Sequence, residues 1–302
     1  MILTVTLNAA LDVTYTLPRV AWGEVNRVAS VAERAGGKGV NAARVAASLG
    51  SAVLVTGFAG GATGGRIRAD LDAAGLPHDF VPVRGESRRT MTVVDGTATV
   101  FNEPGPVVTG AEWSAFTGRF ARLAADAEIV VLAGSLPPGV PPDALALLTR
   151  ATGRPVVLDA DGDALRRGVG GRPAVVKPNA EELRRATGEA APLDGARRLL
   201  DAGCGAVVVS LGADGVLAVT PEGTWRAAPP APVPGNPTGA GDAAVAAMAR
   251  SLARGDAWPE LLRHAVALSA AAVASPVAGD ADLDLYARLL PQIRVQGDPC
   301  PS

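Results

Sequence analysis

The 302 residues carry 28 lysines and arginines against 30 aspartates and glutamates, for a net charge of −2 and a pI near 5.8. No basic run or Lys/Arg stripe interrupts that balance, which excludes a nucleic-acid or anionic-membrane footprint and points to small-molecule partners. At 48% hydrophobic residues the chain can fill one large α/β core, alone or with a small appendage, so disordered and fibrous classes are set aside.

In chain order the first strand is predicted at 2–7, followed by a segment at 13–30 that fits no α/β alternation. A helix over 39–49, a strand over 52–58 and a helix over 64–74 come next. The stretch 86–102, T-M-T-V-V-D-G-T-A-T-V-F at its centre, reads as a β-hairpin around a D-G turn. Beyond it lie helix 111–125, strand 128–133, helix 142–152, strands 155–159 and 174–177, helices 179–187 and 193–202, and strand 205–210. Helices at 239–254, 258–274 and 282–294 finish the fold, and Gly297 to Ser302 reads as a frayed tail. Short Val/Ile/Leu runs alternating with Ala-rich helices predict a mainly parallel sheet with helices on both faces. The two odd segments, 13–30 and 86–102, would form a small β lid over the carboxyl ends of the strands, where ligands bind in such sheets. The expectation is one domain over 1–296.

The cysteines, Cys204 and Cys300, stand far apart and outside C-x-x-C spacing, against a disulfide framework or zinc site. Neither a signal-peptide pattern nor an apolar run of about 18 residues is found, so a soluble, unprocessed cytoplasmic protein is expected.

Of the 28 basic residues only two are lysine, Lys38 and Lys177. A chain that uses arginine for ordinary surface charge has a reason to keep two compact ammonium groups, and phosphate oxygens are one. Lys38 lies in A-G-G-K-G-V-N-A-A (35–43), a glycine loop entering a helix, but without the Ser/Thr of a P-loop. Lys177 lies in V-V-K-P-N-A-E-E-L (175–183), where a strand ends and a helix starts. Asn179 and Glu182, three apart on that helix, can place two oxygens on one side, as Mg²⁺ held mostly through water requires, or can simply cap the helix.

The strongest signal is N-P-T-G-A-G-D-A-A-V-A-A-M-A (236–249), a turn opening directly onto a helix. Glycines there allow close approach of a ligand, and the helix N-terminus offers free N–H groups and a positive dipole end. Asp242 in the first turn could take a proton from a hydroxyl attacking a γ-phosphoryl group; the plainer reading is an acidic helix cap. S-L-G-A-D-G (210–215), A-G-S-L-P-P-G (133–139), Asn8, Asp12, Arg27 and Arg88 are weaker signals.

These motifs, in this order, resemble the ribokinase-like (PfkB) sugar kinases over about residues 1 to 295. G-G-K-G-V-N, N-E-P-G-P and G-S-L-P-P-G are similar to the 1-phosphofructokinase and tagatose-6-phosphate kinase branch. The resemblance implies a three-layer α/β core, a β lid that forms a homodimer, and ATP with Mg²⁺. It also implies that Asp242 is the base and Gly239, Ala240 and Gly241 the anion hole. Asp12, Gly37, Lys38 and Asn41 would touch the sugar, and Arg27, Arg88 and Ser135 the substrate's own phosphate. Lys177, Asn179 and Glu182 would lie at the nucleotide phosphates and Mg²⁺, with Ser210, Gly212 and Gly215 on the nucleotide side. Ala9, Thr90, Ala243 and Asp161 depart from the branch pattern, and Thr90 bears on sugar identity. With no G-x-G-x-x-G or G-x-S-x-G, and His78 and His264 outside any motif, dehydrogenase and serine hydrolase are poor alternatives. A nucleoside kinase would not need the cations, and a non-catalytic sensor would not need Asp242.

Overall fold

The computed structural model describes residues 1–299. Along the chain come β1 (Ile2–Thr6), β2 (Ala10–Thr16), β3 (Ser30–Gly36), α1 (Lys38–Ser48), β4 (Val53–Gly60), α2 (Gly61–Ala73), β5 (His78–Val83), β6 (Arg88–Val94) and β7 (Ala98–Asn102). Next are α3 (Gly110–Ala125), β8 (Ile129–Ala133), α4 (Ala144–Thr152), β9 (Val156–Asp159), α5 (Gly162–Gly168), β10 (Val175–Val176), α6 (Ala180–Thr187) and α7 (Pro192–Asp201). The chain continues with β11 (Val207–Ser210), β12 (Val216–Thr220), β13 (Gly223–Ala228), α8 (Ala240–Arg254), α9 (Trp258–Val273), α10 (Leu283–Leu289) and β14 (Arg294–Pro299).

Ten strands form the central sheet in the order β14-β13-β12-β11-β10-β9-β8-β1-β4-β5, parallel from β5 to β11 and antiparallel from β11 outward. Because side chains alternate across a strand, its apolar runs feed two cores. Val131, Val157 and Val208 face the layer of α1, α2, α8, α9 and α10, whereas Val130, Leu132, Val156, Leu158, Val207 and Val209 face α3 to α7. The result is the expected three-layer α/β architecture. Strand order reverses about β1, whose neighbours β4 and β8 lead the chain to opposite sides, and such a switch point opens a crevice at the carboxyl ends.

A second sheet, ordered β3-β2-β6-β7, is the lid. The D-G hairpin is present, with Gly96 at φ +98 between β6 and β7. The first lid segment is displaced from expectation: 17–29 is largely loop, and the strands flank it, β2 beginning at Ala10 and β3 running on to Gly36.

Two expectations at the carboxyl terminus are corrected. The helix predicted over 282–294 stops at Leu289; Pro291, lacking an N–H, sits in a short 3₁₀ turn, and Arg294–Pro299 then pairs with β13. The frayed tail therefore does not begin at Gly297, and only 300–302, including Cys300, lie outside the described residues. The predicted strand list also lacked β5, β12 and β13.

In the core under α3, Phe116 is fully buried, with ring centroids 4.9 Å from Phe58 and 6.1 Å from Phe120. Phe116→Ala should destabilise the protein by about 3–5 kcal/mol, read as a lower denaturant midpoint with unchanged m value.

Candidate active site

Two helix N-termini meet over the carboxyl edge of the sheet. α1 starts after Gly37 (φ +109) and α8 after Gly239 (φ +87), left-handed conformations that glycine adopts without strain. Asp242, in the first turn of α8, is buried at 8% exposure, and its Oδ2 accepts from Asn41 Nδ2 of α1 at 2.8 Å. Burial pushes the Asp242 carboxyl up to about 7, with the Asp159 charge adding to the effect, while Asn41, Lys38 and Lys177 oppose it. A carboxyl titrating near neutrality suits a general base. A Cβ at Gly241 would lie 3.3 Å from Lys177 Nζ, so the first turn of α8 and an ammonium face each other closely.

Both lysines of the chain converge on one carboxylate, Asp159 at the end of β9, which is 1% exposed. Lys38 Nζ donates to its Oδ1 at 2.9 Å, and Lys177 Nζ lies 3.6 Å from its Oδ2. Burial alone would raise the Asp159 carboxyl, but the two ammonium groups outweigh it and hold the group below the usual carboxylate range. Burial likewise opposes the charge on Lys38, and Asp159 and Glu182 overcome it, so the ammonium is held. Asp159 was not among the residues singled out from sequence. Its position at the carboxyl end of a parallel strand, in V-V-L-D-A-D-G, was the available signal.

Asn179 and Glu182 form a reciprocal capping box: Asn179 Oδ1 accepts from the Glu182 N–H and Glu182 Oε2 from the Asn179 N–H, both at 2.8 Å. The cap leaves Glu182 Oε1 free of it, 3.5 Å from Lys38 Nζ, and both residues line the main cavity. A single carboxylate oxygen fits a Mg²⁺ that keeps most of its waters. Among the described residues no cluster of three or more His, Cys, Asp or Glu forms a closed metal cage.

The main cavity, about 790 Å³, runs from Asp12, Gly37 and Asn41 past Asp242 and the glycine turn to Ser210, Gly212 and Gly215. Pro229, Val233, Val266 and Val273 add apolar wall to the same cavity. These scattered apolar residues carried no motif by which sequence could find them. A second cavity of about 610 Å³, lined by Asn8, Ser135 and Glu103, adjoins the first, and Arg88 and Asn102 line both. Asn8 Nδ2 donates to Ser135 Oγ at 3.1 Å, and Arg88 Nε donates to the Asn8 carbonyl at 3.0 Å.

The lid contributes a row of polar side chains, because cross-strand partners share a face. Arg34, Asp12, Thr90 and Asn102 are successive partners across β3, β2, β6 and β7. Burial pushes the Asp12 carboxyl up to about 6, against the pull of Thr90 and Arg88. Thr90, a departure from the branch pattern, thus has a carboxamide beside it on the next strand. Ala9 and Ala243 are buried, and Asp161 caps α5 and pairs with Arg185 at 2.8 Å.

The cations expected together at the acceptor end do not meet within one chain. Arg88 sits between the two cavities, Lys38 is committed to Asp159 and Glu182, and Arg27, exposed in the loop between β2 and β3, lines neither cavity.

The model of the pfkB family carbohydrate kinases matches residues 5–284. Phosphofructokinase-2 from Escherichia coli in complex with potassium is 29% identical, with 96% of this chain and 98% of that chain covered at a TM-score of 0.90. The same enzyme in complex with fructose-6-phosphate gives 30% identity, coverage of 95% and 98%, and a TM-score of 0.86. A possible 1-phosphofructokinase from Thermotoga maritima is 27% identical over 98% of this chain and 99% of that one, at a TM-score of 0.86. With a family model reaching from β1 into α10 and phosphofructokinases superposing on nearly the whole chain, this protein belongs to the pfkB family of carbohydrate kinases.

Proposed function

We propose that this sugar kinase transfers the γ-phosphoryl group of ATP to a hydroxyl of a phosphorylated ketohexose, with fructose 1-phosphate, giving fructose 1,6-bisphosphate, the first choice. The observation that carries the reading is the second cavity joined to the main one at Arg88, room beyond the sugar site for an acceptor's own phosphate beside a guanidinium and the Ser135 hydroxyl. Fructose 6-phosphate, the ligand named for the Escherichia coli relative, is the second reading, with tagatose 6-phosphate beside it.

In this assignment Asp12, Gly37 and Asn41 hold the sugar with its reacting hydroxyl beside Asp242. The hydroxyl oxygen attacks the γ-phosphorus, the bond from that phosphorus to the β-bridging oxygen breaks, and ADP leaves. The hydroxyl proton passes to Asp242. The N–H groups at Gly239, Ala240 and Gly241, with Lys177 opposite, receive the charge spread over the transferring oxygens. Ser210, Gly212 and Gly215 border the nucleotide. Mg²⁺, held by phosphate oxygens with Glu182 and Asn179 nearby, would offset the charge of the phosphates.

The lid also offers a surface for a second copy: of the ten large hydrophobic residues exposed among those described, Trp22, Val25, Val28, Val31, Val100 and Phe101 lie on it. Exposed apolar side chains gathered on one appendage suit an interface, and a homodimer through the lid is the expected state. Sedimentation should give a dimer that Phe101→Glu weakens; a wild-type monomer at micromolar concentration would reject this assembly.

A panel of ADP-release assays should rank the phosphorylated ketohexoses above free fructose and adenosine in kcat/KM. A highest value for free fructose or adenosine would overturn the acceptor assignment. Because the base works deprotonated and its folded pKa is raised to about 7, kcat should decline as pH falls through about 7. Asp242→Asn should stay folded and bind ATP, lose kcat by about 10²–10⁴-fold and lose that acidic limb. Turnover within a few-fold of wild type would reject Asp242 as the base.

A further inference from the structure

The loop 274–282, between α9 and α10, holds none of the residues to which chemistry has been assigned, yet it touches the catalytic groups from behind. A Cβ at Gly239 would stand 2.9 Å from Ala278 Cα, so the loop backbone lies directly against the turn that forms the anion hole. A Cβ at Gly279 would stand 3.1 Å from Asn41 Oδ1, the other end of the carboxamide that donates to Asp242. Asn236, which leads into the anion-hole turn, adds a tie to the end of α9, its N–H donating to the Val273 carbonyl at 2.8 Å, and one to the loop, its Nδ2 donating to the Pro276 carbonyl at 3.2 Å. The loop is thus the back wall of both the anion hole and the Asn41–Asp242 pair.

The same loop is gripped from the lid. Arg34 of β3 donates from both terminal nitrogens to Asp280, at 2.9 and 2.6 Å, and from Nη1 to the Ala278 carbonyl at 3.3 Å. Such a two-pronged guanidinium–carboxylate pair fixes orientation as well as distance, which a single ammonium contact does not. Arg34 is also the cross-strand partner of Asp12, so one strand position connects the sugar-facing row of the lid to the wall behind the base.

We propose that Arg34 and Asp280 are a positioning pair that sets the lid strand and the anion-hole turn in register, so that a sugar seated under the lid meets Gly239 and Asp242 in reacting geometry. The pair touches neither ATP nor acceptor; it acts through Ala278 and Gly279. This rests on the family's kinase chemistry and on Asp242 as base, but not on which sugar phosphate is used.

The test compares Arg34→Met, Asp280→Asn, the double variant and Arg34→Lys with wild type, using whichever sugar phosphate the wild-type protein turns over best. Misplacement on the scale of an ångström can cost about 10²-fold. Each single loss variant is therefore expected to lower kcat by about 10- to 100-fold, with KM for ATP and sugar phosphate changed by less than about threefold. The double variant should lose no more than the worse single one, and Arg34→Lys should recover part of kcat. If Arg34→Met fails to fold, Asp280→Asn, nearly isosteric and half-exposed, gives the answer; its own failure to fold would assign the pair to stability and overturn the proposal. An unchanged kcat, a rise in KM alone or additive losses would overturn it as well. A wild-type protein that turns over no sugar phosphate would instead refute the acceptor reading.

Discussion

A single buried carboxylate organises the active centre. Asp159, at the end of β9, receives the ammonium groups of Lys38 from α1 and Lys177 from the turn after β10, and so draws three separate segments to one point. An isolated charge at 1% exposure would be costly, and the two ammonium groups that share it would repel each other in its absence. With the Glu182 carboxylate 3.5 Å from Lys38 Nζ, two ammonium and two carboxylate groups balance one another, and Lys177 faces the glycine turn that opens α8. The same cluster acts on Asp242: burial raises its carboxyl, the Asp159 charge adds to the rise, and the two lysines restrain it.

The cluster forms where it does because the sheet is parallel there. Strands β1, β8, β9, β10 and β11 all end on one edge, so the loops after them, and the N-termini of α1 and α8, meet without a long excursion of the chain. The helix ends contribute unpaired N–H groups and a positive dipole to the charge already set by the lysines. The antiparallel strands β12 to β14 extend the sheet beyond β11, where Gly215 leads directly into β12 and lines the cavity.

The lid completes the enclosure with a polar row on one face and apolar side chains in its outer loop and strands. Asp12, on lid strand β2, shows what this placement does: burial pushes its carboxyl up to about 6 even though Thr90, Arg88, Arg34 and Arg44 all pull it the other way. Thr90 pairs across to Asn102, which sets a carboxamide beside it on the next strand.

The sequence alone determined what depends on local pattern. Alternating apolar runs and Ala-rich stretches specified a parallel three-layer core, and N-P-T-G-A-G-D and G-G-K-G-V-N marked the two helix starts, because glycine turns feeding helices carry their chemistry in contiguous residues. The scarcity of lysine singled out Lys38 and Lys177. What they had in common did not show, because Asp159 lies 121 and 18 positions away from them and only the sheet brings it between them. Arg34 and Asp280, 246 positions apart, were invisible for the same reason. The strand Arg294–Pro299 was missed, its first residue read as helix and Gly297 onward as tail, because an edge strand with one paired side needs little hydrophobic pattern of its own; β13 supplies its hydrogen bonds. The separation of Arg27 from Arg88 was likewise settled by the lid's strand boundaries, which put the first on an exposed loop and the second between two cavities. Contiguous motifs announce helix ends and turns; which charges share a site is decided by strand order, since Coulomb and hydrogen-bond energies depend on distance in space and not along the chain.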